Sequence, residues 1–372
     1  MRRNSQYVIS GLGVVVALGF FVIGLEVKRE IVLGELRELR RAALPIVAAA
    51  GGMIGPALVY LALQRGQPAA RGWGIPISTD IAFVIGSMAL LSARVPAGLR
   101  MLLLSIAIAD DIGAILVIAI GYTDQIHLVP LALGFVGLAA VWGLTLLGVR
   151  SFLVYTVVAA LVWLAFHQSG VHATIAGVAL GLLTPARSRA GSGVLLRFFA
   201  HPSETGPDHE ATAALRVGQV RTLQRVARDA VSPLEYLEST IHPWVCFGII
   251  PLFALANAGV AFHIADVANP VALAVGVALV LGKPAGILLV SWLAMRIRIA
   301  QLPDGLSWSV FARGTLLTGI GFTMSLFIAG LSLDGPSLDA AKVGILGGSA
   351  AAAVLGLFAL SRLPPRPASG MP

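Results

Sequence analysis

Residues 107–113 read AIADDIG and place two adjacent carboxylates, Asp110 and Asp111, in the middle of an apolar run that covers 97–121. Such a run is long enough to cross the hydrocarbon core of a bilayer as one helix. A charged group at that depth is costly and is seldom found there without a function. The stretch therefore predicts a membrane-spanning helix with a cation or proton site, and a buried structural ion pair is the alternative interpretation.

The composition of the whole chain indicates the same class of protein. Of its 372 residues, 57% are hydrophobic and only 12% are charged, whereas soluble domains carry about 25% charged residues. The mean hydropathy is +0.89. We therefore predict an all-α polytopic membrane protein. The one cysteine, Cys246, cannot form a disulfide within a single chain.

Apolar runs of about 20 residues predict about eleven transmembrane helices. They cover residues 8–25, 43–64, 74–93, 97–121, 127–148, 151–167, 170–184, 242–262, 270–297, 307–332 and 340–361. A cleaved signal peptide is an alternative for the first run, since Arg2 and Arg3 precede it, but no small-residue cleavage site follows.

The positive charges are distributed unequally between the two sides of these spans. Loops on one side, together with the C-terminus, hold 19 of the 26 Lys and Arg residues. An excess of Lys and Arg marks cytoplasmic loops. We therefore predict a multi-pass membrane protein that contacts the lipid bilayer and has a cytoplasmic C-terminus. The net charge of +8 follows from this bias, and no nucleic-acid partner is predicted.

One connection, 185–241, is much longer than the others. We predict that it is a cytoplasmic loop within a single transporter domain that covers 1–372. Residues 211–231 alternate apolar and basic side chains with the spacing of an amphipathic helix. Such a helix would lie along the inner leaflet, and a solvated connector is the other interpretation.

Two more charged residues lie within predicted spans, Asp80 and Lys283. Lys283 is the natural counter-charge for one of the aspartates. Its pair could be structural, or the lysine could release a proton when the pair opens, and the residues do not separate these roles. Asp80 follows Thr79, and both supply oxygen ligands of the kind that hard cations prefer.

Two predicted spans contain signs of an interrupted helix. Residues 76–80 read PISTD, and residues 318–325 read TGIGFTMS. Proline and polar residues weaken the first helix, and glycines weaken the second. Interrupted helices in the two halves of a transporter favour a midplane site built from an inverted repeat. Close helix packing is the alternative explanation for the glycines.

Eight stretches of the chain resemble, in order, the NhaA-type sodium/proton antiporter family. They are GLEVKRE (24–30), TDIAF (79–83), AIADD (107–111), SGVHAT (169–174), HPW (242–244), FALANAGV (253–260), GKP (282–284) and GIGFTMS (319–325). The resemblance implies an inverted repeat with two interrupted, crossing helices, an architecture for which this family is a standard example.

The resemblance also implies functions for individual residues. Asp111 and Asp110 would bind the transported Na⁺ and protons, and Lys283 would pair with Asp110. Thr79 and Asp80 would lie where the interrupted helices cross, with Thr79 near the Na⁺ and Asp80 balancing helix dipoles. A further set matches positions tied to the cytoplasmic funnel and the pH response: Glu26, Arg29, Glu30, Glu238 and His172.

The chain departs from the family pattern near its N-terminus. The family has twelve spans with both termini inside, and we expect that this chain lacks the first. Eleven spans would place Arg2 and Arg3 outside, which is unusual; a missing upstream helix or an irregular first span would explain it. An Asn-Asp pair of the family is also replaced by Ser10-Gly11-Leu12-Gly13.

The leading hypothesis is a secondary transporter that exchanges cytoplasmic Na⁺ or Li⁺ for external H⁺, for pH and sodium homeostasis. It implies no enzyme activity and no cofactor, and a homodimer is possible. An intramembrane aspartyl protease also uses two carboxylates, but its Gly-x-Gly-Asp signature is missing. A channel, or a transport-inactive sensor that lacks the first helix, is a further alternative.

Overall fold

The computed structural model describes residues 2–123, 126–147, 149, 152–186, 232–249, 251–252, 255 and 268–364. The described residues are predominantly helical and contain no β-strand. The all-α prediction is therefore confirmed for this part of the chain. Residues 187–231, with the predicted amphipathic helix at 211–231, and most of the FALANAGV stretch lie outside it.

The α-helices are α1 (Arg2–Leu33), α2 (Leu39–Leu63), α3 (Ile81–Leu90), α4 (Ala97–Gly121), α5 (Leu128–Leu146), α6 (Phe152–Gln168), α7 (Thr174–Leu183), α8 (Pro233–Trp244), α9 (Pro270–Val277), α10 (Lys283–Arg296), α11 (Trp308–Thr315), α12 (Phe322–Ser332) and α13 (Gly335–Ser361). Short 3₁₀ segments cover Glu35–Arg37, Pro68–Ile77 and Leu316–Gly319, and π-helical turns cover Val245–Ile249 and Ala278–Gly282.

Five helical segments in the described ranges are long and apolar enough to cross a membrane. They are α2, α4, α5, the continuous segment from α9 through α10, and α13. Two bent pairs bring the number to seven if each pair forms one span. The bounds of α4 coincide with the predicted run 97–121.

Two helices extend beyond the predicted runs. The first run was predicted to end at residue 25, but α1 continues to Leu33 because its charged last turns find polar partners on other helices. α8 begins at Pro233, inside the predicted loop 185–241, rather than at residue 242. Ser232 accepts from the backbone N–H of Glu235, whose carboxylate accepts from the N–H of Ser232, and this capping box with a proline at the first helical position starts the helix.

Each of the two predicted interruptions is a sharp bend. The segment Pro68–Ile77 meets α3 at 47°, and the segment Trp308–Gly319 meets α12 at 47°. Residues 78–80 and 320–321 form the breaks. The two breaks contact each other, since the backbone N–H of Asp80 donates to the carbonyl oxygen of Ile320 at 2.7 Å.

The breaks and the middle of α4 lie between two apolar clusters. One cluster includes Leu99 and Ile106 of α4, and the other includes Ala114 and Ile118. Asp110 and Asp111 fall between these two groups on the same helix. The polar residues of the bundle therefore lie in a layer that is closed by apolar packing above and below.

The helix before Lys283 is distorted where proline interrupts its hydrogen bonds. Pro284 has no backbone N–H to donate, and Ala278–Gly282 form a π-helical turn in which the N–H of Lys283 reaches back to the carbonyl of Ala278. π-helical turns often occur at functional sites. The π-helical turn therefore affects the direction in which the Lys283 side chain points.

Helices α2 and α10 approach so closely that they require glycine at the contact. A Cβ built on Gly286 would lie 2.2 Å from the carbonyl oxygen of Gly51 and 2.9 Å from Cα of Gly55. Small residues allow this approach between membrane helices. The contact matters for the site because Lys283 lies one turn before Gly286 on α10.

Gly286→Ala is expected to lower the free energy of unfolding by about 1–3 kcal/mol, since the new methyl group must push two backbones apart. The melting temperature of the detergent-solubilised protein measures this effect. Gly347→Ala is the matched control, because a Cβ at Gly347 of α13 meets no atom within 4 Å in the described structure. Equal melting temperatures for the two variants would contradict the packing argument.

Candidate functional site

The carboxylate of Asp80 lies at the N-termini of two helices. Its Oδ1 accepts from the N–H of Phe83 in α3 at 3.4 Å. Its Oδ2 accepts from the N–H of Thr323 in α12 at 3.1 Å and from the Thr323 hydroxyl at 2.5 Å. The first turn of a helix has unpaired N–H groups and a partial positive charge, so an anion stabilises it. Asp80 thereby joins the two broken spans.

The second break is closed by a serine from α13. The hydroxyl oxygen of Ser349 accepts from the backbone N–H groups of Gly321 and Phe322, both at 3.2 Å. These are donors that the start of α12 would otherwise leave unpaired. Nearby, the Ser325 hydroxyl donates to the carbonyl oxygen of Ile75 at 2.7 Å. Polar side chains thus satisfy the backbone groups that the two breaks expose.

Asp110 and Lys283 form a fully buried ion pair. Lys283 Nζ lies 2.8 Å from Asp110 Oδ2, and both side chains are 0% exposed. Lys283 also donates to the carbonyl oxygen of Ile77 at 2.7 Å. That carbonyl belongs to the last residue before the first break, so the lysine ties α4 and α10 to the end of the Pro68–Ile77 segment.

The two neighbouring aspartates contact two neighbouring hydroxyls. Thr79 Oγ1 lies 2.8 Å from Asp110 Oδ2, and the Ser78 hydroxyl donates to Asp111 Oδ1 at 3.3 Å. Thr79 Oγ1 also lies 3.1 Å from the carbonyl oxygen of Thr318. The Thr79 hydroxyl can donate its single proton to only one of these two acceptors at a time. Its contacts link Asp110 of α4 to Thr318 at the second break.

One carboxylate oxygen of this group is left without a partner among the described residues. Asp110 Oδ1 is buried and accepts no hydrogen bond within the described residues. A Cβ on Gly52 of α2 would lie 3.4 Å from it and 3.0 Å from Cγ1 of Ile287, so the glycine lets α2 pack closely against this oxygen. Buried carboxylate oxygens without a donor are costly. This oxygen, Asp111, Ser78 and Thr79 together form an oxygen-rich group suited to a hard cation.

The structure brings four of the residues predicted for the funnel into contact with other helices. Arg29 Nη1 lies 2.5 Å from Glu238 Oε1, and the Ser105 hydroxyl donates to Glu30 Oε1 at 2.7 Å. Glu26 Oε1 lies 3.5 Å from His242 Nε2. These contacts connect α1 with α8 and α4.

His172 lies elsewhere, beyond the C-terminal end of α4. Its Nε2 lies 3.0 Å from the carbonyl oxygen of Tyr122, which directly follows α4. The Tyr122 hydroxyl in turn donates to the carbonyl of Arg71 at 2.9 Å and accepts from the N–H of Gly74 at 3.1 Å. His172 is therefore connected to the Pro68–Ile77 segment rather than to the other predicted funnel residues.

Several polar residues of this arrangement were not among the predicted site residues. They are Ser78, Ser105, His242, Thr323 and Ser349. A hydroxyl within an apolar span was the available signal. However, Ser and Thr also bond to their own helix, so the signal does not identify a site by itself.

The sequence profile of the family described as "Na+/H+ antiporter 1" matches residues 6–360. The chain belongs to this family. The match covers nearly the whole chain and confirms the resemblance predicted from the eight stretches.

Individual members are similar over most of their length. The chain is 52% identical over 355 residues to the Na(+)/H(+) antiporter NhaA of Rhodopirellula baltica, which covers 94% of this chain and 80% of that protein. It is 51% identical over 348 residues to the NhaA of Rhizobium meliloti, covering 92% of this chain and 79% of that protein. It is 45% identical over 344 residues to the Na(+)/H(+) antiporter NhaA 2 of Vibrio vulnificus, covering 92% of this chain and 77% of that protein.

The members of this family are membrane transporters rather than enzymes. The apolar helices described above agree with a membrane location. The similarity gives no support to the alternative of a transport-inactive relative.

Proposed function

We propose that this protein is a secondary transporter that exchanges Na⁺, or Li⁺, for H⁺ across the membrane at Asp110 and Asp111. The observation that carries the proposal is a pair of adjacent, buried carboxylates next to the contact of two broken spans. One of the two carboxylates is held by a buried lysine. Ionisable groups at this depth are costly and mark ion pathways.

A cation and a proton exclude each other at such a carboxylate. Na⁺ is a hard cation and takes oxygen ligands, which Asp110 Oδ1, Asp111, Ser78 and Thr79 supply. A carboxylate that binds a proton loses the charge that attracts the cation. Buried carboxylates next to each other are coupled, so they exchange protons as a pair. Protons therefore leave when Na⁺ arrives and return when it departs.

Lys283 stabilises the charged form of the Asp110 carboxylate within an apolar bundle. An unpaired carboxylate there would be strongly destabilised, and the lysine offsets that cost. A cation near Asp110 Oδ2 competes with the lysine ammonium for the same oxygen. The lysine therefore serves as the charge partner that an arriving cation has to displace or share.

The two breaks give the site a way to open to each face in turn. At the breaks, the two spans are joined by the hydrogen bond from the Thr79 hydroxyl to the carbonyl of Thr318 and by the Asp80 carboxylate, which accepts from Thr323. These contacts can change more easily than the hydrogen bonds of a continuous helix. In transporters built from discontinuous helices, segments move against each other around a fixed site. We assign Thr79 and Asp80 to this junction and propose that the broken spans belong to two halves of an inverted repeat.

The arrangement in the membrane follows from the charges in the sequence. About eleven spans and a cytoplasmic C-terminus agree with the excess of Lys and Arg on one side, and the bacterial inner membrane is the location that the family resemblance implies. Assembly into a homodimer is a proposal that rests on the resemblance alone. We also propose that Glu26, Arg29, Glu30, Glu238 and His172 adjust the response to pH, since the first four lie at helix contacts near the proposed cytoplasmic face.

Everted membrane vesicles from a host without its own antiporters test this function. Respiration acidifies the lumen, and a pH-sensitive dye reports proton release after addition of Na⁺, Li⁺ or K⁺. We expect dequenching with Na⁺ and Li⁺ but not with K⁺. No response to any of these cations, with the protein present in the membrane, would contradict the proposal.

A further inference from the structure

The segment Pro68–Ile77, which leads into the first break, is a long 3₁₀ helix. It covers ten residues, whereas most 3₁₀ helices are no longer than three or four residues because their hydrogen bonds have poor geometry. The segment also contains Gly72, Gly74 and Pro76, and glycine and proline weaken a helix further. Contacts with other parts of the protein are therefore needed to hold its shape.

Within the described residues, side chains from other elements donate hydrogen bonds to carbonyl oxygens spaced along this segment. These bonds run from Tyr60 to Ala69 at 2.8 Å, from Tyr122 to Arg71 at 2.9 Å, from Ser325 to Ile75 at 2.7 Å and from Lys283 to Ile77 at 2.7 Å. The segment is thus held from its first turn to its last by groups outside it.

The Tyr122 hydroxyl contacts both members of one backbone pair in this segment. It donates to the carbonyl oxygen of Arg71 and accepts from the N–H of Gly74 at 3.1 Å. These two groups are three residues apart, which is the spacing that a 3₁₀ helix joins. A Cβ built on Gly74 would lie 2.5 Å from the hydroxyl oxygen. Glycine is therefore needed at this position for the contact.

Tyr122 itself is held firmly at the end of α4. Its backbone N–H donates to the carbonyl oxygen of Ile118 at 3.3 Å, and its ring stacks on Trp73 of the segment with the centroids 6.3 Å apart. The residue is only 8% exposed. Tyr122 is therefore a rigid extension of the helix that carries the two aspartates.

The segment and the break that follows it are attached to α4 at two places. One is Tyr122, and the other is the break, where Ser78 and Thr79 contact the aspartates. Gly74 lies four residues before Ser78, roughly 8 Å along a 3₁₀ helix. Because this distance is short, a shift of the segment at Tyr122 would move the two hydroxyls relative to the carboxylates.

The contact of Tyr122 differs from the contact that Lys283 makes at the end of the segment. The Lys283 ammonium also pairs with Asp110, so a cation that competes for this carboxylate disturbs the bond from Lys283 to Ile77. The hydrogen bonds of Tyr122 involve no charged partner. Tyr122 can therefore hold the segment in place while the contacts of Lys283 change.

We propose that Tyr122 is a positioning residue for the transported cation. Its hydroxyl fixes the Pro68–Ile77 segment on α4, so that the oxygens of Ser78 and Thr79 are in place beside the aspartates when a cation arrives. Tyr122 acts through the segment, since it lies eleven residues after Asp111, roughly 16 Å along the helix. This inference rests on the proposed function.

Tyr122→Phe removes the hydroxyl and keeps the ring. The apparent affinity falls with the fraction of protein whose ligands are in place. We therefore expect the KM for Na⁺ in everted vesicles to rise about fivefold, the factor that corresponds to one lost hydrogen bond. Saturating Na⁺ selects the arrangement with the ligands in place, so the maximal rate should stay within about twofold of the unaltered chain. A purely structural role would instead lower the maximal rate at constant KM, because less folded protein would be present.

Gly74→Ala tests the same contact from the other side and does not depend on the folding of Tyr122→Phe. The new methyl group displaces the tyrosine hydroxyl, so the KM for Na⁺ should again rise about fivefold. The double variant should raise the KM no more than about tenfold, because both changes disrupt one contact. An increase of about 25-fold, the product of two independent effects, would contradict a shared contact.

Tyr155→Phe is the matched control. It removes a tyrosine hydroxyl of α6 that lies 3.2 Å from the Thr145 hydroxyl of α5, and it should leave both the KM and the maximal rate unchanged. Unchanged KM values for Tyr122→Phe and Gly74→Ala, or lower maximal rates at constant KM, would overturn the inference and leave the proposed function standing. A lack of exchange by the unaltered chain would overturn the proposed function, and this inference with it.

Discussion

Asp111→Asn is expected to reduce Na⁺-dependent proton release to the background of vesicles without the protein. Asparagine has nearly the shape of aspartate but neither binds and releases a proton in this pH range nor carries the charge that attracts Na⁺. Asp110→Asn should have the same effect, since Asp110 Oδ1 accepts no hydrogen bond from the part of the chain that the structure describes and is available to a cation. Dye dequenching in everted vesicles at saturating Na⁺ measures the loss.

Asp339→Asn is the matched control for these variants. Asp339 is exposed near the start of α13, outside both breaks, and its neutralisation should leave exchange unchanged. The amount of each variant in the membrane has to be equal for the comparison. Normal exchange by a well-inserted Asp111→Asn protein would disprove the assignment of the site.

Lys283→Ala is expected to lower the free energy of unfolding by about 3–5 kcal/mol. The change leaves the Asp110 carboxylate buried without its counter-charge and leaves the Ile77 carbonyl without its donor. It also creates a cavity where the lysine chain lay. The melting temperature of the purified protein measures the loss, and the pH profile of any remaining exchange should shift.

A double variant separates the charge effect from the packing effect. Lys283→Ala combined with Asp110→Asn removes both charges and should recover part of the lost stability, because no uncompensated charge remains buried. Lys342→Ala, a change away from the breaks, should alter stability by less than about 0.5 kcal/mol. An unchanged melting temperature together with an unchanged pH profile for Lys283→Ala would refute the charge-partner role.

Much of the helical arrangement could be predicted from the sequence because apolar runs have a characteristic length. α4 begins and ends where its run was predicted, since Pro96 and Tyr122 flank a predominantly apolar stretch. The two broken spans were predicted from the residue types in the stretches PISTD and TGIGFTMS. Proline, glycine and hydroxyl residues cannot continue an apolar helix without a local cost.

The parts that could not be predicted depend on contacts between distant segments. Nothing in the sequence shows that Lys283 donates to the carbonyl of Ile77, 206 residues away. Ser105 and Glu30 likewise meet across 75 residues. The extension of α1 to Leu33 has the same origin, because its last turns carry charged residues whose partners lie on other helices. The early start of α8 has a local cause, the capping box between Ser232 and Glu235.

The most direct test of the account follows ²²Na⁺ uptake into liposomes that contain the purified protein. With an acidic interior and an alkaline exterior, protons leave as Na⁺ enters, so Na⁺ should accumulate above its external concentration. Accumulation should disappear when nigericin in K⁺ medium collapses the pH gradient, and it should be missing with Asp111→Asn. Uptake that persists without the gradient, or that Asp111→Asn supports equally, would contradict coupled exchange at these aspartates.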